Sequence, residues 1–271
     1  MSVPAVEALG LRKGYTKDGR PVPVLDLKRV AVREGEFLTV VGPSGCGKST
    51  FLHILGGFIK ADAGHVHVEG RQVAGPGPDR GMVFQEFALF PWRTVAGNVE
   101  WGLEVQGMPK REREAVVARL LAQMNLEDFR NYLPGEISGG MKQRVALARV
   151  LAFDPKVLLM DEPFGSLDAQ TREAMQEELT RLWERTGKTI VFVTHDIEEA
   201  VYLGDRVVVL TARPARVKAE VSIALPRPRE ITVKKSVRFL EYRNDIWDLI
   251  RSESAAGPGW RAPGRDGARG H

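Results

Sequence analysis

Four short apolar segments along the chain each end in a polar or glycine-rich element. They are Phe37–Val41, Gly81–Phe84, Val157–Met160 and Ile190–Thr194. Continuous apolar runs of this length are typical of strands that are buried on both faces of a parallel sheet. Helix-like stretches lie between them, which predicts βαβ connections and an α/β fold. Since ligands bind at the carboxyl ends of such strands, we expect the chemistry of the chain at one edge of the sheet.

Two other regions depart from this pattern. Near the N-terminus, the dipeptide Asp18-Gly19 and the segment RPVP at 20–23 predict turns, while His65–Glu69 alternates like an antiparallel strand. Between about Thr94 and Tyr132 the pattern becomes helical and predicts a helical insertion. The residues at helical spacing are Val116, Val117, Leu120, Leu121 and Met124 there, and Met175, Leu179 and Leu182 in a later amphipathic helix.

Composition narrows the class of protein. The chain has 271 residues, of which 43% are hydrophobic and 27% charged, so it can form a globular core. No apolar run approaches the ~18 residues of a membrane span, which argues against an integral membrane protein. The N-terminal residues lack the basic and apolar regions of a secretory signal. The single cysteine, Cys46, excludes an intrachain disulfide and suits a reducing cytoplasm.

The net charge of +4 is unevenly distributed along the chain. Residues 206–271 contain 14 lysines and arginines against 7 acidic residues, whereas residues 1–205 contain 25 against 28. A basic end can bind nucleic acid or anionic lipid. The sparse aromatic residues and the lack of a basic helix favour a solvated surface instead.

Residues Gly42–Ser49 (GPSGCGKS) fit the phosphate-binding pattern G-x-x-x-x-G-K-[ST] between a predicted strand and a predicted helix. Gly45 and Gly47 allow the backbone to curl so that its N–H groups point inward. Lys48 is expected to reach the β- and γ-phosphates, and the Ser49 hydroxyl to bind Mg²⁺. The residues expected to contact the nucleotide are Gly42, Pro43, Ser44, Gly45, Cys46, Gly47, Lys48, Ser49 and Thr50. No base is predicted beside Cys46, so we interpret it as a small neutral spacing residue and not as a nucleophile. Because it lies among amides that would wrap the phosphates, we expect bound nucleotide to protect its thiol from alkylation.

The strand Val157–Met160 runs into two carboxylates, Asp161 and Glu162. One carboxylate at such a strand end is expected to hold Mg²⁺, and we assign this role to Asp161. Glu162 is surplus to that task and could polarise a water molecule near the γ-phosphate, which favours hydrolysis over a kinase reaction. Without the phosphate loop upstream, the same dipeptide could be a solvated turn.

Gln85 and His195 follow two further predicted strands on the same sheet edge. Gln85 could contact Mg²⁺ or the attacking water, and His195 could donate a hydrogen bond to the γ-phosphate. Alone, each residue is weak evidence for a site, because a single glutamine is more often a surface residue and a single histidine is more often structural. The remaining histidines, His53, His65, His67 and His271, are interpreted as structural.

The segment Ile137–Arg144 (ISGGMKQR) predicts a second anion site, because Ser138, Gly139 and Gly140 would open a helix with exposed N–H groups. One nucleotide does not need two phosphate cradles, so the second is expected to serve a nucleotide held by a partner.

From about residue 9 to 210 the sequence strongly resembles the ATP-binding cassette of ABC transporters. The matching motifs are GPSGCGKST, the Gln85 loop, ISGGMKQR, VLLMDEP, GSLD at Gly165–Asp168 and the Thr194-His195 switch.

The resemblance implies a P-loop NTPase core with a mainly parallel sheet, an antiparallel β subdomain and a helical signature subdomain. We expect an ATPase domain over residues 1–230 with the helical subdomain inserted at about 93–150. A helical extension is expected over 231–256. The Gly/Pro/Arg-rich residues 257–271 are expected to be a disordered tail.

The resemblance also implies a role for each motif residue in binding and hydrolysing ATP with Mg²⁺. Tyr15 matches the aromatic residue that stacks on adenine. Ser49, Gln85 and Asp161 form the metal site. Lys48, Gln85, Glu162 and His195 form the catalytic set, with Glu162 as general base and His195 as switch. Ser138, Gly139 and Gly140 would close over the ATP of the other protomer, and Asp168 would signal across that interface.

Within the family, Phe87–Val95 looks like importer cassettes, and Pro91–Thr94, DEPFGSLDAQTR and Leu225–Arg229 most resemble the nitrate/sulfonate/taurine branch. This implies import of a small anionic solute through a permease bound at Phe87–Trp92, although a buried core loop is the alternative for that segment. The implied partners are a second copy or a related cassette and a periplasmic or extracellular solute-binding protein. The implied location is peripheral, on the cytoplasmic face of the membrane.

Two other functions were weighed against transport. A soluble ABC ATPase acting on nucleic acid or ribosomes usually carries two cassettes or a long coiled-coil insertion, neither of which is present in this chain, so no nucleic acid is expected. A P-loop kinase is disfavoured by Glu162 and by the ISGGMKQR segment. The sequence does not identify the solute, because the binding protein and the permease select it.

Overall fold

The computed structural model describes residues 3–256, so the predicted tail at 257–271 lies outside the described residues. The strands are β1 (Val6–Lys17), β2 (Arg20–Val32), β3 (Phe37–Val41), β4 (Ala63–Val68), β5 (Arg71–Gln72), β6 (Arg80–Val83), β7 (Val157–Asp161), β8 (Thr189–Val193), β9 (Arg206–Leu210) and β10 (Val217–Ser222). The helices are α1 (Lys48–Gly56), α2 (Val95–Val105), α3 (Lys110–Gln123), α4 (Gly139–Leu151), α5 (Ala169–Thr186), α6 (Ile197–Leu203) and α7 (Val237–Ala256). Short 3-10 segments lie at Glu127–Phe129, Pro134–Glu136 and Ile231–Lys235.

The central sheet has the strand order β10-β9-β3-β8-β7-β6. Its five strands from β9 to β6 pair in parallel, and β10 pairs antiparallel with β9 at the edge. The four apolar segments of the sequence form β3, β6, β7 and β8, and every residue of β3, β7 and β8 is buried. The predicted parallel-rich α/β fold is therefore confirmed.

The second sheet is antiparallel, with the order β2-β1-β4-β5. Asp18 and Gly19 have φ angles of 50° and 73° and form the tight turn of the β1–β2 hairpin, as predicted. The turn predicted for RPVP is wrong, because Pro21 and Pro23 lie within β2 and pair with Thr16 and Gly14. β2 is an edge strand, and an edge strand tolerates prolines because one side of its backbone makes no ladder hydrogen bonds.

The hydrophobic core is divided by the central sheet into two clusters. Alternate residues of one strand face opposite sides, so Phe37 and Val41 join the cluster of the large helices, whereas Leu38 and Val40 join the cluster around α1 and the antiparallel sheet. This explains why these strands are apolar on both faces, with few polar residues among them. No helix within residues 3–256 combines the length and the apolar character that crossing a bilayer requires.

Candidate functional site

The parallel sheet places the ends of four strands at one edge. The loop after β3 leads into α1, Gln85 follows β6, Asp161 and Glu162 end β7, and His195 follows β8. Because β6, β7, β8 and β3 run in the same direction, these ends share the carboxyl edge of the sheet, as the pattern of apolar runs predicts.

The loop between β3 and α1 has the geometry of a phosphate cradle. Gly45 and Gly47 have φ angles of 70° and 126°, which residues other than glycine rarely adopt. A Cβ atom at Gly47 would also lie 2.8 Å from Val24 and 2.9 Å from Leu25, so the loop needs glycine there. Gly47 precedes α1 without a side-chain cap, which leaves the first amides of the helix available to an anion.

Lys48 is held at the mouth of this loop. Its side chain is buried, and its Nζ atom donates hydrogen bonds to the carbonyl oxygens of Gly42, at 3.0 Å, and of Pro43, at 3.3 Å. A buried ammonium is favourable only with such partners or with an anion. The loop therefore keeps a positive charge beside its inward amides.

A cavity of about 530 Å³ opens in front of the loop, a size within the range of small-molecule sites. It is lined by Tyr15, Lys17, Val22, Val24, Ser44, Gly45, Gly47, Lys48, Ser49, Thr50, Glu162, His195 and Arg213. Tyr15 is 45% exposed, and the ammonium of Lys13 lies 5.4 Å from the centre of its ring. An exposed aromatic face thus stands in the same cavity as the phosphate loop, which suits a nucleotide base.

Ser49 and Asp161 form an oxygen pair that fits Mg²⁺. The Ser49 hydroxyl donates to Oδ1 of Asp161 at 3.0 Å, across 112 residues of sequence. Asp161 is 5% exposed, and burial raises the pKa of its carboxyl group, while the hydrogen bond from Ser49 acts in the opposite direction. A hydroxyl and a carboxylate are ligands that Mg²⁺ prefers, and a cation would offset the cost of burying the charge.

His53 adjoins this pair, although the sequence interpretation treated it as structural. Its Nε2 atom lies 3.7 Å from Oδ2 of Asp161, and it is buried without a hydrogen-bond partner in the described structure. His53 follows Ser49 by four residues on α1, and residues four apart share a helix face. That spacing was the signal in the sequence that could have identified it.

Glu162 and His195 form the second functional pair. Nδ1 of His195 lies 2.7 Å from Oε2 of Glu162, and both residues line the cavity. Glu162 has a φ angle of 43°, and its N–H donates to the carbonyl of Val193 at 2.9 Å. A left-handed backbone at a residue other than glycine is costly and is concentrated at functional sites. It places the Glu162 carboxylate beyond the strand end, facing His195.

The structure does not bring every predicted site residue into this cavity. Within residues 3–256, Gln85 is exposed after β6 and is absent from the cavity lining. Gly42, Pro43, Cys46 and Asp161 are absent from the lining although they adjoin it in sequence. The residues Ser138, Gly139, Gly140 and Asp168 are also absent from it and lie in other elements. Ser138 caps α4 by accepting from the N–H of Met141, and Asp168 caps α5. These residues therefore form a separate surface at two helix starts.

Cys46 requires a correction. Its backbone lies in the loop, but its side chain is 2% exposed and packs in the hydrophobic cluster around α1. Burial raises the pKa of the thiol, so little thiolate forms at neutral pH. Protection of the sulfur by bound nucleotide is therefore not expected, because the fold already covers it.

We accordingly expect Cys46 in the native chain to react with a maleimide at least about 10²-fold more slowly than in urea, since reaction requires opening of the core. The rate, followed by mass spectrometry, should be slow both with and without Mg-ATP. Rapid labelling of the native protein that saturating ATP suppresses would contradict the buried position of the sulfur.

Arg213 is a cavity residue that sequence reasoning missed. It lies in the loop between β9 and β10, lines the cavity, and donates from Nε to the carbonyl of Gly45 in the phosphate loop. The contact joins positions 168 residues apart. No motif in the sequence marks Arg213, and only the pairing of β9 beside β3 brings it there.

Comparisons with known proteins agree with this geometry. A family model described as ABC transporter matches residues 26–165. The chain is 51% identical, over 90% of each chain, to an uncharacterized ABC transporter ATP-binding protein of Methanocaldococcus jannaschii. It is 46% identical to a nitrate import ATP-binding protein of Synechocystis, over 86% of this chain and 91% of the relative. It is 48% identical to a taurine import ATP-binding protein of Roseobacter denitrificans, over 86% of this chain and 88% of the relative. A dimeric ATP-binding cassette in a post-hydrolysis state, bound to ADP and Pi, superimposes with a TM-score of 0.71 at 35% identity, over 82% of this chain and 100% of that chain.

Proposed function

The chain belongs to the ABC transporter family of ATP-binding cassettes, and we propose that it energises import of a small anionic solute, such as nitrate, a sulfonate or taurine, through a membrane permease. As a member of this family it is an ATP hydrolase that uses ATP with Mg²⁺. The observation that carries the proposal is one cavity lined by the phosphate loop and by the Glu162–His195 pair, with Ser49 in its wall donating a hydrogen bond to the buried Asp161 behind it.

Each predicted site residue has a proposed task, whether it lines the cavity or lies beside it. Tyr15 stacks on the adenine base, the loop amides and Lys48 bind the phosphates, and Ser49, Asp161 and Gln85 hold Mg²⁺, which draws electron density from the γ-phosphate when bound. Glu162 accepts a proton from the attacking water as general base. His195 orients that carboxylate through the 2.7 Å contact and donates towards the γ-phosphate.

The basic C-terminal quarter gives little support to the nucleic-acid alternative, because several of its arginines pair within the chain. Arg206 contacts Glu36 at 2.7 Å and Arg227 contacts Asp205 at 2.9 Å, and these two arginine side chains are only 13% and 20% exposed. Arg229 is 5% exposed. A nucleic-acid surface would instead present such cations to solvent.

The segment Phe87–Trp92 supports the proposed permease contact. Phe87 and Leu89 pack against the hydrophobic core, so the alternative of a buried core loop describes these two residues. Phe90 is half-buried, and its ring centre lies 5.6 Å from that of Trp92 and 4.9 Å from that of Trp101. Trp92 is 74% exposed, so this aromatic cluster of Phe90, Trp92 and Trp101 offers an apolar surface for a helix of a partner.

Two side chains, the buried Asn98 and the half-buried Arg149, attach the Phe87–Trp92 segment to the rest of the cassette. Asn98 on α2 accepts from the N–H of Phe90 at 2.8 Å and donates to its carbonyl at 3.1 Å. Arg149 on α4 donates to the carbonyls of Phe87, at 3.2 Å, and Ala88, at 2.6 Å. Because α4 begins at the Ser138–Gly140 segment, movement of a docked permease would be transmitted to that segment.

We expect Phe90→Glu to abolish co-purification of the cassette with its permease while leaving the isolated chain folded. A carboxylate in the aromatic cluster would have to be desolvated on docking. The measurement co-expresses the tagged cassette with the permease subunits and quantifies both proteins after purification in detergent. Thermal unfolding of each cassette variant alone tests whether it is folded.

Trp247→Glu, which changes an exposed aromatic residue on α7, is the matched control and should leave the complex intact. Normal assembly of Phe90→Glu, with an unchanged thermal transition, would contradict docking at this cluster.

A second cassette copy and a solute-binding protein outside the membrane complete the proposed complex, in which the cassette is peripheral on the cytoplasmic face.

A further inference from the structure

A buried carboxyl group lies close to the hydrolysis site without belonging to the cavity. Glu199 on α6 is 4% exposed. It accepts hydrogen bonds from the hydroxyl of Thr194 and, at 3.0 Å, from Nε2 of Gln176 on α5. Burial raises the pKa of this carboxyl group, and such a group is retained only where its partners are well placed.

Thr194 connects Glu199 to the switch histidine. Its Oγ1 atom donates to Glu199 and accepts from the N–H of Asp196 at 3.0 Å. His195 lies between Thr194, which carries this hydroxyl, and Asp196, whose N–H donates to it. The hydroxyl thus fixes the turn from which the His195 ring extends to Glu162.

The other end of this chain of hydrogen bonds lies in the C-terminal segment. Oε1 of Gln176 accepts from Nζ of Lys234 at 3.0 Å. The ammonium of Lys234 also lies 3.6 Å from Glu173 and 5.1 Å from the centre of the Tyr202 ring. Its side chain is only 16% exposed, so the contact with Gln176 is shielded from water.

The same C-terminal segment also holds the opposite end of α6. Arg229 donates to the carbonyl oxygens of Val201, Tyr202 and Gly204 at 2.8–3.1 Å, and the Tyr202 hydroxyl donates to the carbonyl of Arg229 at 3.0 Å. These carbonyls end a helix and have no partner within it. Residues 229–234 therefore contact the C-terminal end of this short helix directly and reach its first turn, at Glu199, through Gln176.

We propose that Lys234, Gln176 and Glu199 are positioning residues for His195, and that the segment after β10 thereby sets the geometry of the hydrolysis site. Three hydrogen bonds lead from the Lys234 ammonium to the Thr194 hydroxyl, and the next residue is His195. The inference rests on the proposed role of His195. It assigns the C-terminal segment a part in hydrolysis that the sequence motifs do not indicate.

Three variants at two neighbouring positions test this relay. Lys234→Met keeps an unbranched side chain over the Tyr202 ring but removes the donor to Gln176. Lys234→Arg keeps a donor and the charge. Lys235→Met makes the same charge change at the next residue, which is exposed, and is the matched control.

The readout is the ring proton resonances of the histidines in the full-length protein, with His195 assigned from the spectrum of His195→Ala. We expect Lys234→Met to shift the His195 resonances and to leave those of His65 and His67 on β4 unchanged. Lys234→Arg should largely restore the His195 position, and Lys235→Met should not move it. We also expect Lys234→Met to lower kcat about fivefold, as for one lost hydrogen bond, with KM for ATP unchanged.

Unmoved His195 resonances in Lys234→Met would overturn the relay. Equal shifts at His65 and His67 would also overturn it, because they would indicate a general change of structure. If His195→Ala hydrolyses ATP at the wild-type rate, the proposed role of His195 fails, whereas the resonance shift still reports the relay. The two failures are therefore distinguishable.

Discussion

Replacing Glu162 with glutamine is expected to slow ATP hydrolysis by about 10²–10⁴-fold and to leave ATP binding equal or tighter. Glutamine keeps the shape of the side chain and can still contact His195, but it cannot accept the proton of the attacking water. It also removes one negative charge beside the bound phosphates. Phosphate release and binding of a fluorescent ATP analogue, measured on the same preparation, test both parts.

The neighbouring carboxylate provides a contrast within the same strand end. Asp161→Asn should weaken Mg²⁺-dependent nucleotide binding itself, because Asp161 rather than Glu162 contacts the Ser49 hydroxyl. Glu127→Gln makes the same charge change at an exposed position that does not line the cavity, and it is the control. Hydrolysis by Glu162→Gln at near the wild-type rate would exclude general base catalysis by Glu162.

The sheet and the residues at its edge were predictable because one physical constraint fixes both. Strands buried on both faces are mostly apolar, so the four runs are visible in the sequence, and the polar or glycine-rich element that ends each run marks the carboxyl edge. Asp161, Glu162 and His195 were placed at this edge in this way, and Lys48 by the phosphate-binding pattern that follows the first run. Gln85 was assigned by the same logic, but the structure leaves it exposed and outside the cavity lining.

Side-chain direction and long-range contact were not predictable. The motif fixes the backbone of Cys46 but not its rotation into the core, and only the packed structure reveals its burial. The prolines of β2 were interpreted as turns because the sequence does not tell an edge strand from a turn. Arg213 reaches the phosphate loop from a segment that no local pattern connects with it.

The Ser138–Gly140 segment is the remaining predicted part of the site, and it lies on a surface separate from the cavity. Ser138 caps α4, and a Cβ atom on Gly140 would lie 2.7 Å from Thr171, so this helix start packs closely on the start of α5, which Asp168 caps. None of these residues lines the cavity of the same chain within residues 3–256. A second protomer could therefore offer this surface to the ATP held in the first.

We expect Ser138→Arg, added to Glu162→Gln, to abolish an ATP-dependent dimer completely. Glu162→Gln with Mg-ATP should trap two protomers around two unhydrolysed nucleotides, and a bulky arginine at Ser138 would block closure of one protomer over the ATP of the other. Light scattering measures the dimer, and ATP binding by the double variant should persist because Ser138 is outside its own cavity. Ser138→Gly, which removes the hydroxyl without adding volume and costs a helix cap only a few tenths of a kcal/mol, should retain dimers. A dimer that survives Ser138→Arg would exclude the shared site, because it would have formed without closure of the Ser138–Gly140 segment over nucleotide.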